Sequence, residues 1–491
     1  MIVDNDLLSM QYARILVENA VEAQKRLACF TQEKLDALVT TMGRAVAAQA
    51  KALAVMAYEE TDCGDWQDKL VQLRFVCGDV LDALLPVRCL GVLAEDRENG
   101  LMDIGAPLGV IVSLTPVANP LAATVHQVLM AIKAGNALVV SPHPRAVRCT
   151  SRVVELMAEA GCAEGLPEGC LSCLQPVSRS GACELMRHKD VALVVNTGVP
   201  SLLAEAREGG KPLIYAGIGQ GPAFVERTAD IAQAARDIVQ SKTFDNGMAP
   251  AAEQSVVVDA CIMDEMRTAL ESEGCYFMNA DERRGLGEVL TACGGSGPGV
   301  LGMTAENLAR RAGFNVPTGT RVLVAPCAYV NENDPFSMEI MAPVLSLYVE
   351  TDWRHACEKC IEVLLHEHKG HTLVIHSRDE AVIRQFALKK PVGRLLVNTP
   401  ATFGAMGMTT NLTPSVTLGS GSAGFGITAD NVSPRHFIYT RKIGYGVRPA
   451  PKTNGESDAA NEQPLDAHAI RSLFGNLTRI LENVPSPDDP S

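Results

Sequence analysis

Apolar residues recur at three- and four-residue steps near the start of the chain: Leu16, Val17, Ala20 and Val21, then Leu35, Leu38, Val39 and Met42. This period puts them on one face of a helix and predicts that residues 7 to 85 are helical. From about Leu90 the runs shorten. Gly91-Val-Leu-Ala and Leu101-Met-Asp-Ile flank the polar turn Asp96-Arg-Glu-Asn-Gly100, which predicts a β-hairpin. Leu108-Gly-Val-Ile-Val-Ser-Leu-Thr115 is almost continuously apolar, as suits a strand buried on both faces of a parallel sheet. Helices near 121–134, 146–160 and 200–208 then alternate with strands at 137–140, 192–195 and 212–216, which predicts a doubly wound α/β domain.

A second α/β region begins at about 227, with strands at 255–259, 321–325 and 373–375. After Arg448 the pattern breaks: residues 449–464 have almost no apolar bulk and read as a flexible linker. Beyond it, Ile470, Leu473, Phe474, Leu477, Leu481 and Val484 form one stripe at helical spacing, predicting an amphipathic helix over 465–484 that Pro485 ends.

Composition narrows the class. A hydrophobic fraction of 47% with 20% charged residues is that of a globular chain, and 491 residues suffice for two or three lobes. The 57 acidic against 43 basic residues give a net charge of -14, which repels nucleic acid and anionic membranes. No apolar run reaches the roughly 18 to 20 residues that span a bilayer, and the opening Met1-Ile-Val-Asp-Asn-Asp lacks a basic leader, so a cytoplasmic protein is expected. The 15 cysteines then read as reduced thiols. Cys170/Cys173 and Cys357/Cys360 have Cys-x-x-Cys spacing but lie far apart, the second pair in a helix-like stretch, so no metal site is expected.

The chemistry lies in short motifs: Thr115-Pro-Val-Ala-Asn-Pro120, Ser141-Pro-His-Pro-Arg145, Thr197-Gly198, Ser241-Lys-Thr-Phe-Asp-Asn-Gly247, Met338-Glu-Ile-Met-Ala-Pro343, Gly370-His-Thr372, Leu396-Val-Asn-Thr-Pro400 and Pro414-Ser-Val-Thr-Leu-Gly-Ser-Gly421. In this order, over roughly residues 10 to 448, they resemble the aldehyde dehydrogenase superfamily, closest to the coenzyme A-acylating branch of bifunctional aldehyde/alcohol dehydrogenases and microcompartment enzymes. The resemblance implies an α/β aldehyde dehydrogenase fold. Residues 1–226 would form a helical region and a Rossmann-like nucleotide-binding domain with an oligomerisation hairpin at about 91–104. Residues 227–434 would form a catalytic-type α/β domain and 435–448 an oligomerisation strand, giving a homo-oligomer. It also implies NAD or NADP as cofactor and coenzyme A as co-substrate.

One position departs from the family decisively. Its nucleophile loop continues from Ser-Lys-Thr-Phe-Asp-Asn-Gly through two residues to a catalytic cysteine and then Glu-Gln-Ser, and here that position is Pro250. A thiolate is needed to attack an aldehyde and carry the acyl group as a thioester, and proline can do neither. Cys261, Cys275 and Cys293 lie downstream, but the intact flanks of the loop argue against a replacement. Asn119 would donate to a developing oxyanion or shape a strand-to-helix turn. His371 would serve acid/base chemistry or fill the pocket wall.

For the cofactor, the resemblance implies Thr115 and Pro116 beside the nicotinamide, and Ser141, His143, Pro144 and Arg145 beside the adenosine ribose and phosphate. It implies Thr197 and Gly198 at the phosphate-facing turn and Glu339 on the nicotinamide ribose. Asn119-Pro120 shaping a turn, residues 141–145 as a structural loop and Glu339 as a solvated carboxylate are the alternatives. The turn is altered: relatives read Thr-Gly-Gly-Pro-Gly where this chain has Thr197-Gly-Val-Pro-Ser201, so Val199 adds a branched side chain where a pyrophosphate would approach. Around the expected substrate pocket, Gly419-Ser-Gly-Ser-Ala-Gly-Phe-Gly426 replaces a segment with Trp and Asn, and Gly217-Ile-Gly-Gln220 replaces Gly-x-Gly-Asn. No glutamate lies between Leu213 and Pro222 to act as a hydrolytic base, as is usual for the acylating branch.

These features lead to an acylating aldehyde dehydrogenase homologue impaired in thioester chemistry, acting as a pseudoenzyme or assembly subunit. The alternatives are an NAD(P)-dependent aldehyde oxidoreductase with a changed mechanism, and an adaptor acting through its C-terminal helix. That helix resembles the encapsulation peptides that bring enzymes into bacterial microcompartments, which would make a shell protein or an active homologue its partner and the microcompartment lumen its location.

Overall fold

A computed structural model describes residues 4–217, 219–293, 297, 299–366 and 371–450, and, of the C-terminal segment, 466, 471, 472, 474 and 475. The linker from 451 on, most of the predicted 465–484 helix, Ile218 and Gly370 lie outside the described residues.

The N-terminal region is helical as its period predicts: α1 (Asn5–Leu27), α2 (Gln32–Thr61) and α3 (Trp66–Phe75), which passes through a π-turn at Val76–Val80 into α4 (Leu81–Leu84). Each long helix starts at a side-chain cap. Asp4 accepts from the N–H groups of Asp6 and Leu7, Thr31 from Lys34, and Asp65 from Gln67. Leu35, Leu38, Val39 and Met42 are all buried against the first core.

The predicted hairpin is β1 (Gly91–Asp96) and β2 (Leu101–Pro107). There follow β3 (Val110–Leu114), α5 (Pro120–Lys133), β4 (Ala137–Ser141), α6 (Val147–Ala163), β5 (Leu171–Cys173), α7 (Arg179–Arg187), β6 (Val191–Thr197), α8 (Leu203–Glu208) and β7 (Leu213–Ala216). Their strands make a five-stranded parallel sheet of order β5-β4-β3-β6-β7. The order reverses between β3 and β6, and a crevice at the carboxyl ends of such a pair is where open α/β sheets bind ligands. The helix expected over 200–208 is divided: Pro200–Leu202 is a 3-10 turn, with Pro200 in its first turn, before α8.

The second sheet comprises β8 (Gly221–Val225), α9 (Ile231–Thr243), β9 (Glu253–Asp259), α10 (Met263–Ser272), β10 (Cys275–Phe277), α11 (Ala280–Cys293), α12 (Ala305–Arg311), β11 (Val322–Pro326), β12 (Val344–Glu350), α13 (Trp353–His366), β13 (Thr372–His376), α14 (Glu380–Ala387), β14 (Arg394–Val397) and α15 (Ala401–Met406). Seven parallel strands run in the order β10-β11-β12-β9-β8-β13-β14. Last, β15 (Ile438–Gly444) pairs antiparallel with β2 to complete a three-stranded sheet with the hairpin.

One expected boundary moves. β8 bonds to β9 and β13, so the chain leaves the first sheet after Ala216 and not at 226. β7 and β8 are both short and fully buried, and nothing in their local pattern says which sheet each joins. All fifteen cysteines are unpaired, with Cys357 and Cys360 on the buried face of α13. Among the described residues no helix is long and apolar enough to cross a membrane, and no group of three His, Cys, Asp or Glu side chains could hold a metal ion.

Candidate active site

Residues at the carboxyl ends of β6 and β7 and residues of the loops that lead into β9, β12 and β13 line one cavity of about 230 Å³. It gathers Pro116, Asn119, His143, Thr197, Gly198, Pro250, Glu339 and His371 from loops scattered along the chain. Its apolar wall includes Met248, Leu301, Met341 and Leu418. A neighbouring cavity of about 180 Å³ takes Thr115, Ser141, His143 and Pro144. His143, Val199 and Ser201 border both. Of the residues named as catalytic or cofactor candidates, only Arg145 lies on neither: its guanidinium donates to the Thr61 carbonyl and to Cys63 Sγ, turned toward the N-terminal helices.

The loop between α9 and β9 is fastened at several points. Asp245 and Asn246 both have left-handed backbones (φ 50° and 51°), a conformation that needs outside support. Lys69 Nζ supplies it, 2.9 Å from Asp245 Oδ2, and also donates to the Ala118 carbonyl at 2.9 Å. Asn246 donates to the carbonyls of Gly64 and Gly302. Gly247 packs so closely that a Cβ there would lie 2.7 Å from the Ala342 carbonyl. The loop thus holds a fixed path into the cavity, where it presents Pro250.

No cysteine is among the described residues that line this cavity. Cys261 follows the far end of β9, which at roughly 3.3 Å per residue puts about 20 Å between it and the loop. Cys63 is nearer, buried with Ala118, Met248 and Leu301 behind the wall. Its thiol donates to the Thr61 carbonyl at 3.1 Å, and burial pushes its pKa up, away from thiolate formation.

Asn119 stands at the head of α5, yet its side chain does not cap the helix, and Pro120 occupies the first turn. His371 shares a hydrogen bond between Nδ1 and the Thr372 hydroxyl at 2.7 Å. Burial, and then the nearby Arg394 guanidinium, lower its pKa to about 3, so the imidazole is neutral at physiological pH. Gly219 lies against its ring: a Cβ there would come within 2.4 Å of Nε2. Glu339 accepts from the Gly219 N–H at 2.9 Å, tying the loop before β12 to the loop before β8.

Behind this wall are groups that the sequence did not point to. Lys242 is fully buried and donates to the Gln254 side chain and the Ile340 carbonyl, and burial brings its amine down to about 7. Glu253, also buried, accepts from the Ala401 N–H and is raised to about 7 by desolvation. Neither lines the cavity. Lys242 and Glu253 sit inside a stretch already noticed, whereas Lys69 and Arg394 are lone basic residues with no local signature.

At the turn of residues 197–201, Gly198 N–H donates to the Ala216 carbonyl at 2.7 Å and Val199 N–H to Asn196 Oδ1 at 2.9 Å. Pro200 has no N–H. The turn therefore spends its own donors internally, and the Val199 side chain stands where the two cavities meet. The Thr115 hydroxyl is buried at the second cavity without a hydrogen-bond partner among the described residues.

The loop of residues 419–426 departs from expectation. Phe425 has φ 64°, is about half exposed and packs under the Arg207 guanidinium, so it does not shape the pocket. Val416 and Leu418 line the cavity instead. Arg394 holds this loop through the carbonyls of Gly419 and Ala429 and also donates to the His371 carbonyl.

Residues 7–274 match the model of the aldehyde dehydrogenase family. The bifunctional aldehyde-alcohol dehydrogenase AdhE of Escherichia coli K12 is 34% identical over 87% of this chain, which spans only 49% of that protein. An acetylating aldehyde dehydrogenase from Geobacillus thermoglucosidasius superposes with a TM-score of 0.89 at 36% identity, covering 92% of this chain and 100% of that one. A Rhodopseudomonas palustris propionaldehyde dehydrogenase, solved with bound CoA and an acylated cysteine, has a TM-score of 0.79 at 27% identity over 88% of this chain and 97% of its own. With the motif order, the two-sheet fold and these matches in agreement, the chain belongs to the aldehyde dehydrogenase family, alongside acetylating aldehyde dehydrogenases.

Proposed function

We propose that this protein is an acylating aldehyde dehydrogenase homologue that has lost thioester chemistry and acts as an assembly subunit. The observation that carries this reading is Pro250, which lines the cavity beside Asn119, Thr197, Glu339 and His371 with no cysteine among the described lining residues. Proline removes more than the thiol. It has no backbone N–H, so position 250 cannot donate toward an oxyanion beside Asn119 either. The neutral His371 imidazole has no thiol to serve.

A nicotinamide cofactor would draw on Thr115, Pro116, Ser141, His143, Pro144, Thr197, Gly198 and Glu339, and the unpartnered Thr115 hydroxyl suits a polar ligand. The internally bonded turn and Val199 oppose its diphosphate. Weak binding of NAD or NADP follows, with coenzyme A entering the same groove only weakly. When bound, the nicotinamide would supply a hydride acceptor, and the residues of this chain would orient it.

The assembly role draws on the β1–β2–β15 sheet, whose exposed Leu101 and Tyr439 offer apolar surface to a second copy. A role for the C-terminal stripe in reaching a shell protein or an active homologue rests on its sequence spacing. The deciding experiment is purified-protein NADH production with aldehydes and coenzyme A, followed by intact mass spectrometry. Turnover is expected to be negligible, and an acyl group trapped on any cysteine overturns the reading.

A further inference from the structure

The β1–β2–β15 sheet carries an apolar cluster separate from the cores of both domains. Val92, Ile104, Ile443 and Tyr445 ring it, and its two wholly buried members are Met102 on β2 and Phe474 of the C-terminal segment. Met102 faces Ile443 directly across the strand pair. The Phe474 ring packs on Tyr445 with centroids 4.4 Å apart, while Arg471, Ser472 and Gly475 beside it in sequence are exposed. The Phe474 ring is thus seated in a socket that the sheet supplies.

We infer that this sheet face is the docking surface for the chain's own C-terminal segment, held in cis through Phe474, and that the segment is unavailable to outside partners while Phe474 is seated. The inference rests on the assembly reading above for what the freed segment does, but not for the docking itself. Extended chain reaches about 3.3 Å per residue, so the stretch between Ala450 and Arg471 is long enough for docking in cis. Phe474 belongs to the same sequence stripe as Leu473 and Leu477 and cannot be buried on Met102 and in a partner groove at once. The apparent affinity of any partner therefore falls by the fraction of chains left undocked. The occupant that this surface fits is a segment with an aromatic anchor, here Phe474 against Met102 and Tyr445.

The test uses the full chain and a fluorescein-labelled synthetic peptide of residues 466–491 as probe. In wild type the segment occupies the socket, so the probe binds weakly. Phe474→Asp is expected to tighten probe binding at least about tenfold and to speed trypsin cleavage after Arg471 by about tenfold, since cleavage tracks the undocked population. Adding Tyr445→Ala to Phe474→Asp should weaken the probe again by removing the ring that receives it. Equal probe binding and equal cleavage in wild type and Phe474→Asp overturn the inference. A solution mass that halves in Phe474→Asp overturns docking in cis in favour of docking onto a second copy. If the socket behaves as stated while the opened chain shows no new association with shell proteins, the docking stands and the assembly role of the segment fails.

Discussion

Lys69 and Asp245 form an ion pair in which both side chains are buried, with Nζ 2.9 Å from Oδ2, joining α3 to the loop that carries Pro250. Lys69 also holds the Ala118 carbonyl next to Asn119, so one ammonium group sets the spacing between two walls of the cavity. Removing one partner strands a buried charge. Lys69→Met is expected to lower stability by about 3–5 kcal/mol, read from the urea midpoint, and Lys69→Met combined with Asp245→Asn to recover part of that loss. A loss under about 1 kcal/mol would show that the pair does not hold the loop.

Pro250→Cys restores a thiol and a backbone N–H together, whereas Pro250→Ala restores the N–H alone. Nucleophile knockouts remove several powers of ten in rate. Pro250→Cys is therefore expected to raise coenzyme A-dependent aldehyde oxidation by about a thousandfold or more over wild type and to yield an acyl adduct on that cysteine, with Pro250→Ala inactive. Recovery should remain partial because Val199 stays in place.

Val199 borders both cavities, and its backbone N–H and C=O are fixed by the Asn196 side chain, so the frame of the turn does not depend on the isopropyl group. Val199→Gly is expected to tighten NADH binding about tenfold, or about 1.4 kcal/mol, in a fluorescence titration. Unchanged affinity would mean that the side chain does not bar the cofactor.

His126 is buried between the hydroxyls of Ser415 and Thr417, and burial lowers its pKa from 6.5 to about 3. Between those values the unfolded chain binds a proton that the folded chain does not. Its contribution is present in full above pH 6.5 and is lost as pH falls toward 3. The slope is up to about 1.4 kcal/mol per pH unit. His371 acts in the same direction, while Glu253, raised from 4.5 to about 7, acts oppositely between those values. The test is therefore a difference: His126→Asn should flatten the acid limb of stability by about 1 kcal/mol per pH unit between about pH 6 and pH 4. An unchanged slope in urea titrations across that range would show that His126 does not control it.

Local sequence pattern carried the helical start, the hairpin, the alternating α/β order and the loop that reaches Pro250. Each of these is written in neighbouring residues: Leu35, Leu38, Val39 and Met42 recur at the helical period, and Asp96 to Gly100 form a turn between apolar runs. The motif order likewise pointed to the family, and most of the residues it named meet at the two cavities. Long-range contacts set the rest: β8 joins the second sheet, Arg145 turns toward Thr61, Phe425 faces outward, and Lys69, Arg394 and Phe474 clasp segments far from them in the chain. Those outcomes depend on contacts between residues tens to hundreds of positions apart, where burial and hydrogen-bond satisfaction override local preference and leave no periodic trace in the chain.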